Sequence, residues 1–230
     1  MIDTLLLDLD DTILDFKKAE HVALEKTLRQ VGIDPTPRIC SRYSQINQMH
    51  WEMLERREIT REQVLTGRFQ VLFDEVGVTA DVEDTAKQYA TFLSQGHYFL
   101  PGAVETLALL WEKYPLYLAS NGTAWVQNGR LDSANIRHFF RDIFISQDMG
   151  ANKPAKEYFD ACFARMGDIS REKVMIVGDS LSSDIQGGKN AGIATCWVNP
   201  AHKPCRAEMK PDYVIESITQ LPALLEEING

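Results

Sequence analysis

Three carboxylates crowd into four positions at Asp8-Leu9-Asp10-Asp11, with Thr12 directly behind them. Carboxylates packed this closely repel one another, and holding them together is costly unless a cation neutralises them. Alternate residues of an extended chain share a side, so Asp8 and Asp10 can address one locus. Hard oxygen ligands of this kind suit Mg²⁺. Three later segments add complementary chemistry. Ser120-Asn121-Gly122 offers a small hydroxyl and a turn whose backbone N–H groups can meet an anion. Lys153-Pro154 offers an ammonium that would neutralise both a nucleophilic carboxylate and phosphoryl oxygens. Gly178-Asp179-Ser180, with Asp184 a turn further on, supplies a second acidic pair. Taken singly, each segment has an ordinary reading: an acidic turn, a Gly turn, a surface lysine, a helix N-cap. The ordered set carries the information, because each member follows its own predicted strand.

Those strands are short apolar runs. Residues 2–9 hold Leu5, Leu6 and Leu7 in succession rather than in alternation, the mark of a strand buried on both faces. Residues 116–120, 142–146, 174–178 and 195–199 have the same character, and 211–215 reads as a last edge strand before a closing helix over 221–228. Helical patterns of roughly ten to fifteen residues separate the later runs, as βαβ units require. The expected fold is therefore α/β: a Rossmann-like parallel sheet core. Residues 16–96 differ, with helical patterns and no convincing strand. Leu24, Leu28 and Val31 share a helical face before Gly32. Thr60-Arg61-Glu62-Gln63 has the form of a capping box, opening a helix that would run to Gly77, and residues 84–93 read as another helix. The predicted organisation is a discontinuous catalytic core, 1–15 and 97–230, interrupted by an inserted all-helical cap, 16–96. Because the insertion begins just past an acidic strand end, where open α/β sheets bind ligands, its placement favours a lid over the alternative of an independent helical domain with no contact to the site.

Composition narrows the partners. The 230 residues carry a net charge of −9, with 44% hydrophobic and 25% charged residues. That balance is ordinary for a globular chain, and its acidity disfavours a nucleic-acid polymer as partner. A small anionic substrate held by a metal and one or two cations stays compatible with it. Cys40, Cys162, Cys196 and Cys205 form no Cys-x-x-Cys pair and are expected to be reduced thiols rather than zinc ligands. No basic, apolar leader opens the chain and no run approaches the roughly 20 apolar residues of a membrane span, so a cytoplasmic protein with no membrane partner is expected.

With these residues in place, the chain resembles the haloacid dehalogenase superfamily of phosphatases over its full length. Asp8-x-Asp10-x-Thr12 matches the first motif, Ser120 the second, Lys153 the third, and Gly178-Asp179 with Asp184 the fourth. Leu100-Pro101-Gly102 resembles the family's return from its cap. The resemblance implies that Asp8 is the nucleophile and Asp10 the general acid and base. It implies Mg²⁺ held by Asp8, the backbone carbonyl of Asp10, Asp179 and, through water, Asp184. Ser120, Asn121 and Lys153 would bind the phosphate. These roles suit the chemistry, since a phosphomonoester dianion facing an anionic nucleophile needs positive charge between them. A second aspartate to protonate an alkoxide favours phosphoryl transfer over dehalogenation.

Within the superfamily the closest resemblance is to bacterial pyrimidine 5′-nucleotidases. It rests on residues 8–16, Gly67-Arg68-Phe69, 178–192 and Ala194-Thr195-Cys196-Trp197-Val198-Asn199. That branch implies nucleoside monophosphates such as UMP, dUMP and dTMP as substrates. His50, Trp51 and Arg68 are the cap candidates for substrate contact, set against ordinary readings of Trp51 as core and Arg68 as a solvated face. Phosphoglycolate or sugar-phosphate phosphatases and phosphomutases share the catalytic set. A receiver-like signalling domain shares the acidic cluster and lysine, but would carry its phosphoacceptor where this chain has Ser-Asn-Gly. A fold-retaining binding protein without turnover is the remaining class. Oligomeric state is not legible.

Overall fold

The computed structural model describes residues 1–205 and 207–230. In chain order the main elements are β1 (Thr4–Leu7), α1 (Phe16–Gln30), α2 (Pro37–Glu55), α3 (Arg61–Val76), α4 (Val82–Ser94), α5 (Ala103–Trp111), β2 (Leu116–Ser120) and α6 (Ala124–Ala134). They continue with β3 (Asp142–Ile145), α7 (Ser146–Met149), α8 (Lys156–Met166), β4 (Val174–Gly178), α9 (Gln186–Ala191), β5 (Ala194–Val198), β6 (Tyr213–Ile215) and α10 (Leu221–Asn229). The chain divides into two compact units, Met1–Phe16 with His97–Gly230, and Lys17–Gly96.

The first unit is the expected α/β core, a six-stranded sheet in the order β3-β2-β1-β4-β5-β6 with every pair parallel. Parallel strands need crossovers, and helices supply them on both faces. That is why the strands read as unbroken apolar runs. Leu5 and Leu7 of β1 pack into one face cluster with Leu118, Met175 and Val177. Leu6 faces the other side with Ala119, Phe144 and Ile176. β1 is central, with β2 on one side and β4 on the other, so connections diverge around it. The carboxyl ends of strands beside such a switch point are where open α/β sheets place ligands. The two chain segments that frame the helical insertion pair with each other in this unit: Asp15 N donates to Tyr98 O at 2.8 Å and Leu100 N to Ile13 O at 3.0 Å.

The second unit contains the rest of α1 with α2, α3 and α4. The capping box is formed, with Gln63 N donating to Thr60 Oγ1 at 3.3 Å and Thr60 N to Gln63 Oε1 at 2.8 Å. α3 ends at Gly77, whose φ of 71° is the left-handed cap that favours glycine. α4 begins two residues ahead of the expected start, because Asp81 rather than a later residue caps it, accepting from Asp84 N at 2.9 Å. The interior of this unit is an aromatic cluster of Tyr43, Phe69 and Tyr89, with ring centroids 5.1–5.6 Å apart. None of the described helices is long and apolar enough to cross a membrane.

Candidate active site

The side chains singled out at the strand ends converge. Asp8 leaves β1 with its N–H donating to Val177 O of β4 at 2.9 Å, which pins the first carboxylate to the neighbouring strand. Asp11 takes φ 54°, a left-handed turn that Asp tolerates, and its carboxylate accepts from Phe16 N at 3.0 Å. This closes the loop after Asp8 and Asp10. Beyond β4, Ser180 caps a single wide turn over Leu181–Ile185. The turn carries Asp184 back over the strand, where it accepts from Ser180 N at 3.1 Å. A Cβ on Gly178 would fall 2.2 Å from Asp184 Oδ2, so only glycine lets that carboxylate approach. Capping and carboxylate placement thus coexist in one segment.

Lys153 is the centre of the arrangement. Its ammonium has three protons, and each has a partner: Asp8 Oδ1 at 2.7 Å, Asp184 Oδ1 at 2.6 Å and the Ala119 carbonyl at 2.6 Å. It is 1% exposed. Burial alone would lower its pKa, but Asp184 and Asp8 outweigh burial and hold the ammonium above its ordinary value. Asn121 fixes the lysine's own backbone. Its Nδ2 donates to Lys153 O and its Oδ1 accepts from Lys153 N, both at 2.8 Å. One Nδ2 proton and the Oδ1 of Asn121 are thereby engaged on Lys153.

The carboxylates are held under strain from one another. Burial pushes Asp8 well above the usual carboxylate range, and Asp184, Asp10 and Asp179 push the same way against Lys153. Asp179 is pushed up to about 7, first by burial and then by Asp184, Asp11 and Asp10. Asp8, Asp179 and Asp184 offer carboxylate oxygens that all lie within 4.8 Å of one another. Three hard oxygen donors still short of positive charge, with Lys153 already spent, fit a divalent cation. The Asp10 carboxylate is not in that group.

Two residues that sequence reading passed over complete the site. Gln127 and Arg130 project from α6 one turn apart and are buried. Gln127 Nε2 donates to Asp10 Oδ2 at 2.7 Å and to Ser120 Oγ at 2.8 Å. Arg130 donates to Asp10 Oδ1 and, at 3.0 Å, to Gln127 Oε1. The only sequence signal was a buried-face spacing on the helix after Ser-Asn-Gly. Trp197, quoted above for the family resemblance, donates its Nε1 to the Asp179 carbonyl at 2.8 Å and holds that strand end.

The helical-unit candidates fare differently. Arg68 is 3% exposed, so it lies on no solvated face. Its guanidinium sits 4.7 Å from the Tyr89 ring centroid and donates to Asn47 Oδ1 at 2.7 Å, while Asn47 Nδ2 donates to the buried Glu20 at 2.6 Å. The arginine is packed inside this unit, as a desolvated cation over aromatic faces. His50 hydrogen-bonds Ile46 O at 2.8 Å and lines a cavity of about 380 Å³ with Met53, Gln63, Thr66 and Gly67. Trp51 is half-buried beneath the Arg61 guanidinium, 5.5 Å from its ring centroid.

Residues 5–198 match the family model for haloacid dehalogenase-like hydrolases. The chain belongs to that family. It is 40% identical to the HAD-hydrolase YfnB of Bacillus subtilis over 222 residues, 96% of this chain and 94% of that protein. The crystal structure of YfnB bound to magnesium superposes with a TM-score of 0.93, covering 97% of this chain and 98% of that one. Two further relatives are named pyrimidine 5′-nucleotidases. PynA of Streptococcus pneumoniae is 36% identical over 97% of this chain and 94% of its own length. YjjG of Escherichia coli is 29% identical over 97% of each. The chain is thus a haloacid dehalogenase-like hydrolase, with an aspartate cluster able to hold a metal.

Proposed function

We propose that this hydrolase cleaves phosphomonoesters through an aspartyl-phosphate on Asp8, with pyrimidine nucleoside monophosphates such as UMP, dUMP and dTMP as substrates. The observation that carries the reading is the Lys153 ammonium shared between Asp8 and Asp184, with Asp179 beside them. Asp8, Asp179 and Asp184 would hold a divalent cation, Mg²⁺, which supplies charge neutralisation between nucleophile and phosphoryl dianion when bound. Asp8 attacks phosphorus; its P–O bond forms as the bond to the leaving oxygen breaks. Asp10 gives the departing alkoxide its proton. Water then attacks the same phosphorus, Asp10 takes the water's proton, and Asp8 is released with inorganic phosphate. Two displacements replace one difficult hydrolysis. The Ser120 hydroxyl meets a phosphoryl oxygen, while Lys153, its protons held by Asp8, Asp184 and the Ala119 carbonyl and its backbone by Asn121, screens the phosphoryl charge through its own positive charge.

The nucleotide assignment is supported by the two relatives named pyrimidine 5′-nucleotidases, aligned over 97% of the chain. Residues 16–96 would select the leaving group, with His50 and Trp51 the candidates that their surroundings leave available. Phosphate release should be measured with magnesium from UMP, dUMP, dTMP, AMP, phosphoglycolate and sugar phosphates in parallel. Preference for the pyrimidine nucleotides supports the full reading. Preference for phosphoglycolate or a sugar phosphate keeps the aspartyl-phosphate and overturns the substrate. Absence of release from every ester overturns the phosphatase.

A further inference from the structure

Gln127 and Arg130 touch the two groups that must handle the proton and the phosphoryl oxygens, and their hydrogen bonds admit one arrangement. Arg130 donates to Gln127 Oε1, so that atom is the amide oxygen and Nε2 is the nitrogen. Nε2 has two protons; one goes to Asp10 Oδ2 and the other to Ser120 Oγ. Rotating the amide would set its oxygen against the Asp10 carboxylate and the arginine against an NH₂ group. The Asp10 carboxylate is thereby gripped at both oxygens, by Gln127 at Oδ2 and Arg130 at Oδ1.

The consequence for Ser120 is equally definite. Its Oγ accepts from Gln127 Nε2 at 2.8 Å and from Gly122 N at 3.1 Å. A hydroxyl has two lone pairs and one proton. With both lone pairs taken, Ser120 can only donate further, and no acceptor for its proton lies among the described residues. A buried hydroxyl locked as a donor suits an anionic oxygen and opposes a group that needs an acceptor.

We propose that Gln127 and Arg130 are positioning residues for this reaction: they aim the Asp10 carboxylate at the leaving oxygen and fix the Ser120 hydroxyl as a donor to the phosphoryl group. The proposal rests on the phosphatase reading above. It divides the labour between the two residues. Arg130 contacts Asp10 and Gln127 but not Ser120, so its loss should damage proton delivery above all. Gln127 contacts both, so its loss should also weaken phosphoryl binding.

The test compares UMP, whose alkoxide must be protonated to leave, with p-nitrophenyl phosphate, whose phenolate leaves without a proton. The readout is kcat/KM, which reports transfer to Asp8 and excludes the later hydrolysis common to both esters. For Arg130→Met, kcat/KM for UMP should fall about 10²-fold, the scale of a general-acid contribution, and for p-nitrophenyl phosphate by a far smaller factor. For Gln127→Leu both esters should lose, UMP more, and inorganic phosphate should inhibit more weakly. Thermal unfolding of each variant identifies the folded ones. If Arg130→Met does not fold, Gln127→Leu carries the same UMP-against-nitrophenyl comparison. Equal losses on both esters in a folded variant, with the unmodified chain active, would overturn this proposal alone. An unmodified chain that releases phosphate from neither ester would overturn the phosphatase reading and this proposal with it.

Discussion

Replacing Lys153 with Met removes the ammonium that hydrogen-bonds both Asp8 and Asp184, while keeping a side chain of similar length. Both carboxylates are buried, at 7% and 1% exposure, so water cannot replace the lost cation. Breaking one side of a buried, hydrogen-bonded charge pair costs about 3–5 kcal/mol. At about 2–4 °C per kcal/mol for a chain of this size, Tm should drop by roughly 6–20 °C in EDTA. The pH dependence distinguishes this mechanism from simple loss of packing. Lys153 is held above its ordinary value, so it stays charged throughout the neutral range and its stabilisation in the unmodified chain is fully present there. In the variant Asp8, already pushed upward by burial, can relieve its uncompensated charge only by binding a proton. The penalty should therefore be largest near about pH 8 and shrink toward about pH 5. Circular dichroism melts of both proteins at the two pH values measure it, and kcat for phosphate release should fall about 10²–10³-fold in parallel. A Tm loss equal at both pH values, or under about 2 °C at the higher one, would refute the idea that Lys153 compensates buried carboxylates.

Three other outcomes are expected. Asp179 sits at about 7 in the fold against an ordinary value of 3.8. Between those values the metal-free fold binds a proton that the unfolded chain has released, so metal-free stability should fall as pH rises through that window. The Tm gain from magnesium chloride over EDTA should accordingly be larger above pH 7 than below about pH 6. Gly178→Ala would drive a methyl to 2.2 Å from Asp184 Oδ2 and displace that carboxylate. Titration calorimetry should show magnesium affinity weakened about 10–100-fold, with the sheet itself intact by circular dichroism. Asn121→Ala strips two hydrogen bonds from the Lys153 backbone. It should cost about 1–3 kcal/mol in urea unfolding and lower phosphate release.

Much of the fold was written locally. A strand buried on both faces must be apolar without alternation, and Leu5-Leu6-Leu7 and Val174-Met175-Ile176-Val177 declare this without reference to partners. Strand ends were less legible. Ser146 reads as the end of β3 but starts α7, since the backbone there turns helical once it leaves its last pairing at Ile145. The start of α4 moved two residues earlier because Asp81 accepts the capping bond from Asp84 N. Parallel topology then accounts for the gathering of Asp8, Lys153, Asp179 and Asp184. Each follows a strand, and all strand ends of a parallel sheet lie on one side.

Local pattern was therefore enough for the inventory: a parallel α/β core, a helical stretch between residues 16 and 96, and which acid, hydroxyl and amine sit at the strand ends. Periodicity and capping act over a few residues, and a few residues are enough to read them. How those groups are spent follows from packing in three dimensions. Asn121 turns to the Lys153 backbone, Arg68 goes inside an aromatic cluster, and Lys153 divides its three protons among Asp8, Asp184 and Ala119. Arg130 and Gln127 reach Asp10 across 120 and 117 positions of chain. A buried donor must find an acceptor, but which one it finds is set by distances in the folded chain, and no local pattern encodes a distance of that kind.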